Sequence, residues 1–191
     1  MAMKLPHTAI QPIGPFFHFA LTPGWSPTEN TRGIMAGPGA LGERINLRIR
    51  VLDRDGDPVT NAMIELWQAD AAGKYNHPAD TQTKIPDPAF NGFGRVSSDN
   101  QGLCVFETVK PGPVQSQAPH ISLTAFAPGL LRSVSTRIYF DGDPANASDY
   151  ILGLVPEDRR TTLLARPGLE PADWNFDLRL SGPCETVFFD I

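Results

Sequence analysis

The 191-residue sequence is 41% hydrophobic and 19% charged, the balance of a folded globular protein and not of a disordered one. Its net charge of −5 gives no electrostatic reason to expect nucleic acid or an anionic membrane as partner, and no run approaches the roughly 18 apolar residues of a membrane span. One domain spanning 1–191 is expected, large enough to bury roughly 70% of its unfolded surface. With 19 prolines and 17 glycines in no strict period, the chain should be mainly β and rich in turns.

Residues 1–43 show neither helical nor strand periodicity. Gln11-Pro12-Ile13-Gly14-Pro15-Phe16-Phe17 reads as a rigid apolar arm that packs on its own domain or on a partner. The first residues lack the apolar core of a signal peptide, so a cytoplasmic location is expected. Cys104 and Cys184 fit no ligand spacing; unpaired reduced thiols are expected, with a disulfide as the alternative.

From Arg44 the alternation of Ile45, Leu47, Ile49 and Val51 predicts a half-buried strand, opening a core over 44–191. Asp53-Arg54-Asp55-Gly56-Asp57-Pro58 reads as a hairpin turn. A calcium loop would need a glutamate where Ile64 stands. Strands follow at Ala62–Gln68 and Leu103–Val109, the second entered by a turn over 97–102. Between them lies an insertion, Ala69–Gly94, carrying Tyr75 and His77; loops this long are usually functional. Pro111-Gly112-Pro113 stops a strand. His120–Phe126 then alternates, Ile121, Leu123 and Ala125 on one face and His120, Ser122, Thr124 and Phe126 on the other. A further strand is expected at Thr136–Phe140 and one helix within Asp149–Arg166, started by Pro156. Trp174–Leu180 and the terminal Glu185–Asp190 complete the strands. The fold class is an antiparallel β-sandwich with an N-terminal arm, a loop insertion and one short helix. Trp67 and Trp174 are expected in a core or interface; Arg95 either orients the insertion by pairing with a carboxylate or lies on the surface; His7, His18 and His77 are assigned no chemistry.

Leu66-Trp67-Gln68-Ala69-Asp70, Ala72-Gly73-Lys74-Tyr75, Phe93-Gly94-Arg95, Lys110-Pro111-Gly112, Ala118-Pro119-His120-Ile121, Thr136-Arg137-Ile138-Tyr139-Phe140 and Glu185-Thr186-Val187-Phe188-Phe189-Asp190 occur in one order. Together with Gly14-Pro15 they resemble the intradiol ring-cleaving dioxygenases over almost the whole chain. The resemblance implies an enzyme whose catalytic chain holds Fe(III) through two tyrosines and two histidines, the tyrosinates supplying the anionic oxygen donors that suit so hard an ion. Transferred residue by residue, Tyr75 and His120 match, whereas Val114 stands for the second tyrosine, Ser122 for the second histidine and Gln117 for an arginine near the reacting ring. No catalytic residue is therefore expected in this chain, and no iron bound by it alone; Tyr75 and His120 should be hydrogen-bonded structural residues.

Within the family such a loss implies an iron-free alpha chain, paired with a beta chain that carries the Fe(III) and repeated as αβ protomers. Gly14 and Pro15 would then help wall the substrate pocket beside the partner's iron. Pro128 replaces an arginine the family often has there, although Arg132 is close by. Replacing Val114 by tyrosine and Ser122 by histidine should, on the sequence alone, restore ferric affinity. The alternatives are a transthyretin-like binding module for carbohydrate or peptide, and a metal-free homo-oligomer without enzymatic chemistry.

Overall fold

The computed structural model describes residues 14, 21–22 and 33–190. Most of the expected arm, including Pro15, His7 and His18, lies outside them. Among the described residues eight strands are formed: β1 (Arg44–Leu52), β2 (Met63–Trp67), β3 (Phe93–Ser97), β4 (Leu103–Val109), β5 (His120–Phe126), β6 (Val134–Phe140), β7 (Leu164–Pro167) and β8 (Asp173–Arg179). They follow one hydrogen-bonded order, β3-β2-β5-β6-β7-β8-β1-β4. The chain is mainly β, as expected. It is not wholly antiparallel: β1 pairs with β8 and β6 with β7 in parallel.

The apolar alternation read in the sequence is what fills the interior. Ile45, Leu47, Ile49 and Val51 of β1 and Ile121, Leu123 and Ala125 of β5 point into one core and are at most 1% exposed. Cys104 is buried on β4 and Cys184 exposed, both as free thiols. Trp174 is buried, its ring meeting Phe140 edge-on at 5.0 Å.

Several elements differ from the sequence reading. The turn after β1 is closed by Asp53, whose Oδ1 accepts the backbone N–H of Asp55 and Asp57, both at 2.9 Å. It is not a hairpin between paired strands, because β1 runs between β8 and β4 while β2 runs between β3 and β5. Strand β3 replaces the end of the expected insertion. Its Gly94 looks like a breaker, yet a Cβ there would lie 2.8 Å from Met35 Sδ, so glycine admits a close approach inside a strand.

The single helix expected over Asp149–Arg166 is instead a one-turn α1 (Tyr150–Gly153), a 3-10 segment (Glu157–Leu163) and β7. Pro156 sits in extended geometry (φ −50°, ψ 137°) between the two helical pieces, and its missing N–H breaks the ladder. Leu164–Pro167 is then claimed by pairing with both β6 and β8. The terminal Glu185–Asp190 forms no ladder; a bridge from Phe189 to Ser135 and a hydrogen bond from Thr136 Oγ1 to Val187 O (2.6 Å) fasten it beside β6.

Candidate functional site

Two glycines set the site. Gly73, at φ +75°, and Gly112 abut so closely that a Cβ on Gly73 would stand 2.1 Å from Pro113 O, and one on Gly112 2.4 Å from Ala71 O. Only glycine fits either position. Asp70 O accepts the backbone N–H of both glycines at 2.9 Å. The insertion and the Pro111–Pro113 turn are thereby locked together, and each delivers a residue to one cleft.

That cleft, of about 410 Å³, is lined by Trp67, Tyr75, His77, Val114, Gln115 and Gln117, with Ala79–Gln82 along its edge. The Tyr75 ring stacks on Trp67 at 5.9 Å and 10°, and His77 meets Trp67 edge-on at 6.1 Å. Trp67 and His77, which the sequence placed respectively in a core or interface and outside any chemistry, therefore both belong to the cleft wall.

The insertion contains no regular element between Trp67 and Phe93; side-chain bonds to backbone replace one. Asp70 Oδ1 accepts from Ala72 and Lys74 N–H at 2.9 Å and Oδ2 from Asp87 N–H at 3.1 Å. Lys74 Nζ donates to the carbonyls of Asp80 and Gln82, both at 2.9 Å, and pairs with the Asp80 carboxylate at 3.1 Å. Asp80 Oδ2 in turn accepts the Tyr75 N–H at 2.8 Å, fixing the backbone that carries the phenol. The Gln82 backbone N–H is foremost among the donors that hold the Asp80 carboxyl down to about 2. Arg95 does pair with a carboxylate, but with Glu65 across β2 and β3 and not with the insertion.

The sheet supplies the other half of the site. His120 and Ser122 share one face of β5, opposite Tyr139 and Arg137 of β6, and Ser122 is also paired with Trp67 of β2. His120 is buried, its Nδ1 2.8 Å from Ala118 O. Buried Asp149, which the sequence reading gave no site role, braces this region. Its Oδ2 accepts from Ala118 N–H at 2.8 Å, and its Oδ1 from Tyr139 OH at 3.1 Å and from Leu152 N–H at 2.8 Å, where it caps α1.

Arg137 was also missed, although it stands in a quoted motif. Its Nη1 donates to Gln117 Oε1 at 2.7 Å, so the position that resemblance marks as a lost arginine receives a guanidinium from β6. Burial raises the Tyr75 phenol above its ordinary value, and the Arg137 charge works against that rise. Tyr139 is pushed up to about 12 by burial, again opposed by Arg137. Burial lowers His120, and Arg137 lowers it further. One cation thus acts on three of the groups around the site.

This arrangement does not fit a ferric ion. Of the four positions that the resemblance marks as ligands, Tyr75 and His120 keep a donor, whereas Val114 offers an isopropyl group and Ser122 a neutral hydroxyl, and Ser122 is paired across the strands with the cationic Arg137. Among the described residues no group of three or more His, Cys, Asp or Glu is arranged to hold a metal. Gly14 is exposed, with nothing within 4 Å of a Cβ placed on it. Arg132, the arginine nearest Pro128, is exposed and faces Asp190 at 3.4 Å.

A family described as "Dioxygenase" matches residues 14–182. The chain is 41% identical to the protocatechuate 3,4-dioxygenase alpha chain of Burkholderia cepacia, covering 98% of each, and 36% identical to the beta chain from the same organism, covering 80% of this chain and 70% of that one. An intradiol ring-cleavage dioxygenase from Tetranychus urticae superposes with a TM-score of 0.60 at 19% identity, over 81% of this chain and 88% of that chain, a likeness of fold alone.

Proposed function

The chain belongs to the intradiol ring-cleavage dioxygenases, and from that membership we propose that it is the alpha, iron-free chain of a protocatechuate 3,4-dioxygenase. In this reading the whole enzyme adds both atoms of O2 to 3,4-dihydroxybenzoate and gives 3-carboxy-cis,cis-muconate. Fe(III) in the beta chain supplies the activation of the catechol; this chain supplies structure, and it is inactive by itself. The observation that carries the proposal is the altered donor set: Tyr75 and His120 remain, whereas Val114 and Ser122 stand where the other two ligands would be and do not bind metal.

The finer parts of the proposal follow from the same premise. The 1–191 chain is one domain whose two halves pack as a sandwich, and its N-terminal arm, with Gly14 and Pro15, walls the substrate pocket beside the partner's iron. The assembly is of αβ protomers in the cytoplasm; no helix among the described residues is long and apolar enough to cross a membrane. Co-expression with a beta chain should yield a stable coloured complex that cleaves 3,4-dihydroxybenzoate, since tyrosinate-to-iron charge transfer absorbs visible light. Purification of this chain alone as a coloured, active protein with stoichiometric iron would refute it.

A further inference from the structure

We propose that the outer face of β7, β8 and β1 carries a binding site for a small oxyanion with two or more negative charges, a phosphate or a polycarboxylate, held by Arg159, Arg166 and Arg179. The site shares no lining residue with the cleft described above, and it does not depend on the family reading. The strand alternation that buries Trp174, Phe176 and Leu178 turns Asn175, Asp177 and Arg179 outward. Register then sets Arg50 of β1 against Asp177 and Arg166 of β7 against Asn175, so arginines from three strands meet on one face. The 3-10 segment Glu157–Leu163 adds Arg159 and Thr161, and together these groups enclose a cavity of about 410 Å³.

Four guanidiniums line that cavity against two carboxylates, those of Asp158 and Asp177, on a chain whose net charge is −5. One of the four is neutralised directly: Arg50 forks onto Asp177, Nε to Oδ1 at 3.1 Å and Nη2 to Oδ2 at 3.2 Å. Arg159 is positioned by a backbone carbonyl instead. Its Nη2 donates to Glu185 O at 2.7 Å, and its Nε is buried with no acceptor among the described residues. The Arg166 and Arg179 side chains enter no hydrogen bond or ion pair among the described residues. Three positive charges thus converge on one hollow against the single remaining carboxylate of Asp158, a repulsive arrangement that a bound dianion or trianion neutralises. That excess sets the minimum valence of the ligand. Arginine also sets its chemistry, because the planar fork meets carboxylate or phosphate oxygens two at a time and is weakly hydrated.

The test is a calorimetric titration of the full chain with inorganic phosphate, citrate and benzoate in about 0.15 M chloride, where diffuse attraction is screened within about 8 Å. Phosphate or citrate should bind saturably with a dissociation constant below about 1 mM, and the monoanion benzoate at least about tenfold more weakly. The tighter of the first two shows which oxyanion geometry the site takes. Arg166→Gln and Arg179→Gln should each weaken binding about tenfold through the loss of a unit charge. Asp177→Asn, which releases Arg50, should strengthen it about threefold. Arg48→Gln, on the same face of β1 but outside the cavity, should change it by less than about twofold. Because Arg166 and Arg179 bond nothing in the described fold, their variants should keep the urea midpoint of the parent chain. No saturable binding of either polyanion, equal binding of benzoate, or a loss in Arg48→Gln as large as in Arg166→Gln would each overturn the proposal.

Discussion

The two halves of the site are built by opposite means. His120, Ser122, Arg137 and Tyr139 stand on β5 and β6, where register alone decides which side chains meet and the reverse faces are anchored in a core that is almost wholly excluded from water. Tyr75 and His77 stand on an insertion with no regular element, held by Asp70, Lys74 and Asp80 binding backbone groups. The sheet half is positioned by apolar burial, and the loop half by polar saturation of a backbone that no strand pairs. Burial is non-directional and tolerant of small changes; a bonded loop is directional, and depends on a few atoms being where they are.

The largest effect that would sharpen this contrast is expected in the loop. Gly73→Ala forces a side chain into left-handed backbone 2.1 Å from a carbonyl and should cost about 4 kcal/mol or prevent folding, read as a shift in the urea midpoint. On the sheet side, Leu123→Ala should cost about 3 kcal/mol through lost transfer energy and a cavity, with the cleft left intact. Next, Asp149→Ala removes a helix cap and leaves Ala118 N–H and Tyr139 OH without their acceptor. About 2 kcal/mol is expected, with weaker anchoring of His120.

The halves should also separate by pH. His120 has a folded value below its ordinary one, so its contribution to stability is present above about pH 6.5 and is lost as pH falls through the folded value; His120→Gln should remove that step. Asp80, held at about 2, contributes above its ordinary value near 4 and loses that contribution between there and pH 2; Asp80→Asn should flatten this second, loop-derived step. Urea midpoints measured across pH would resolve both. The smallest effect belongs to neither half: Arg50 and Asp177 pair at 3.1 Å but are half exposed, and Arg50→Ala should change stability by no more than about 0.5 kcal/mol.

The legible parts of the sequence were those governed by periodicity. The alternations at β1, β4, β5, β6 and β8 each mark a strand because one face must be buried. What escaped was set by contacts distant in sequence. β3 was hidden by Gly94, whose purpose is an approach by Met35. β7 was hidden in a helical pattern and is claimed by its two neighbours, while the terminal segment has a strand's composition but is fastened beside β6 by a bridge from Phe189 to Ser135 and not by a ladder. At the site, Tyr75, Val114 and Gln117 could be grouped by resemblance before any contact was known, and one cleft does gather them. Arg137 and Asp149 could not, because their significance is a cross-strand partner and a capped turn, neither of which any local pattern announces.

The abutting glycines 73 and 112 carry a consequence for chimeric proteins. The peptide carrying the phenol and the peptide opposite it form one interlocked joint, so exchanging the 69–92 segment between related chains would bring mismatched surfaces together unless residues 111–113 travelled with it. Descent with modification meets the same requirement: these two stretches can drift in what they display, but only as a pair can they change shape.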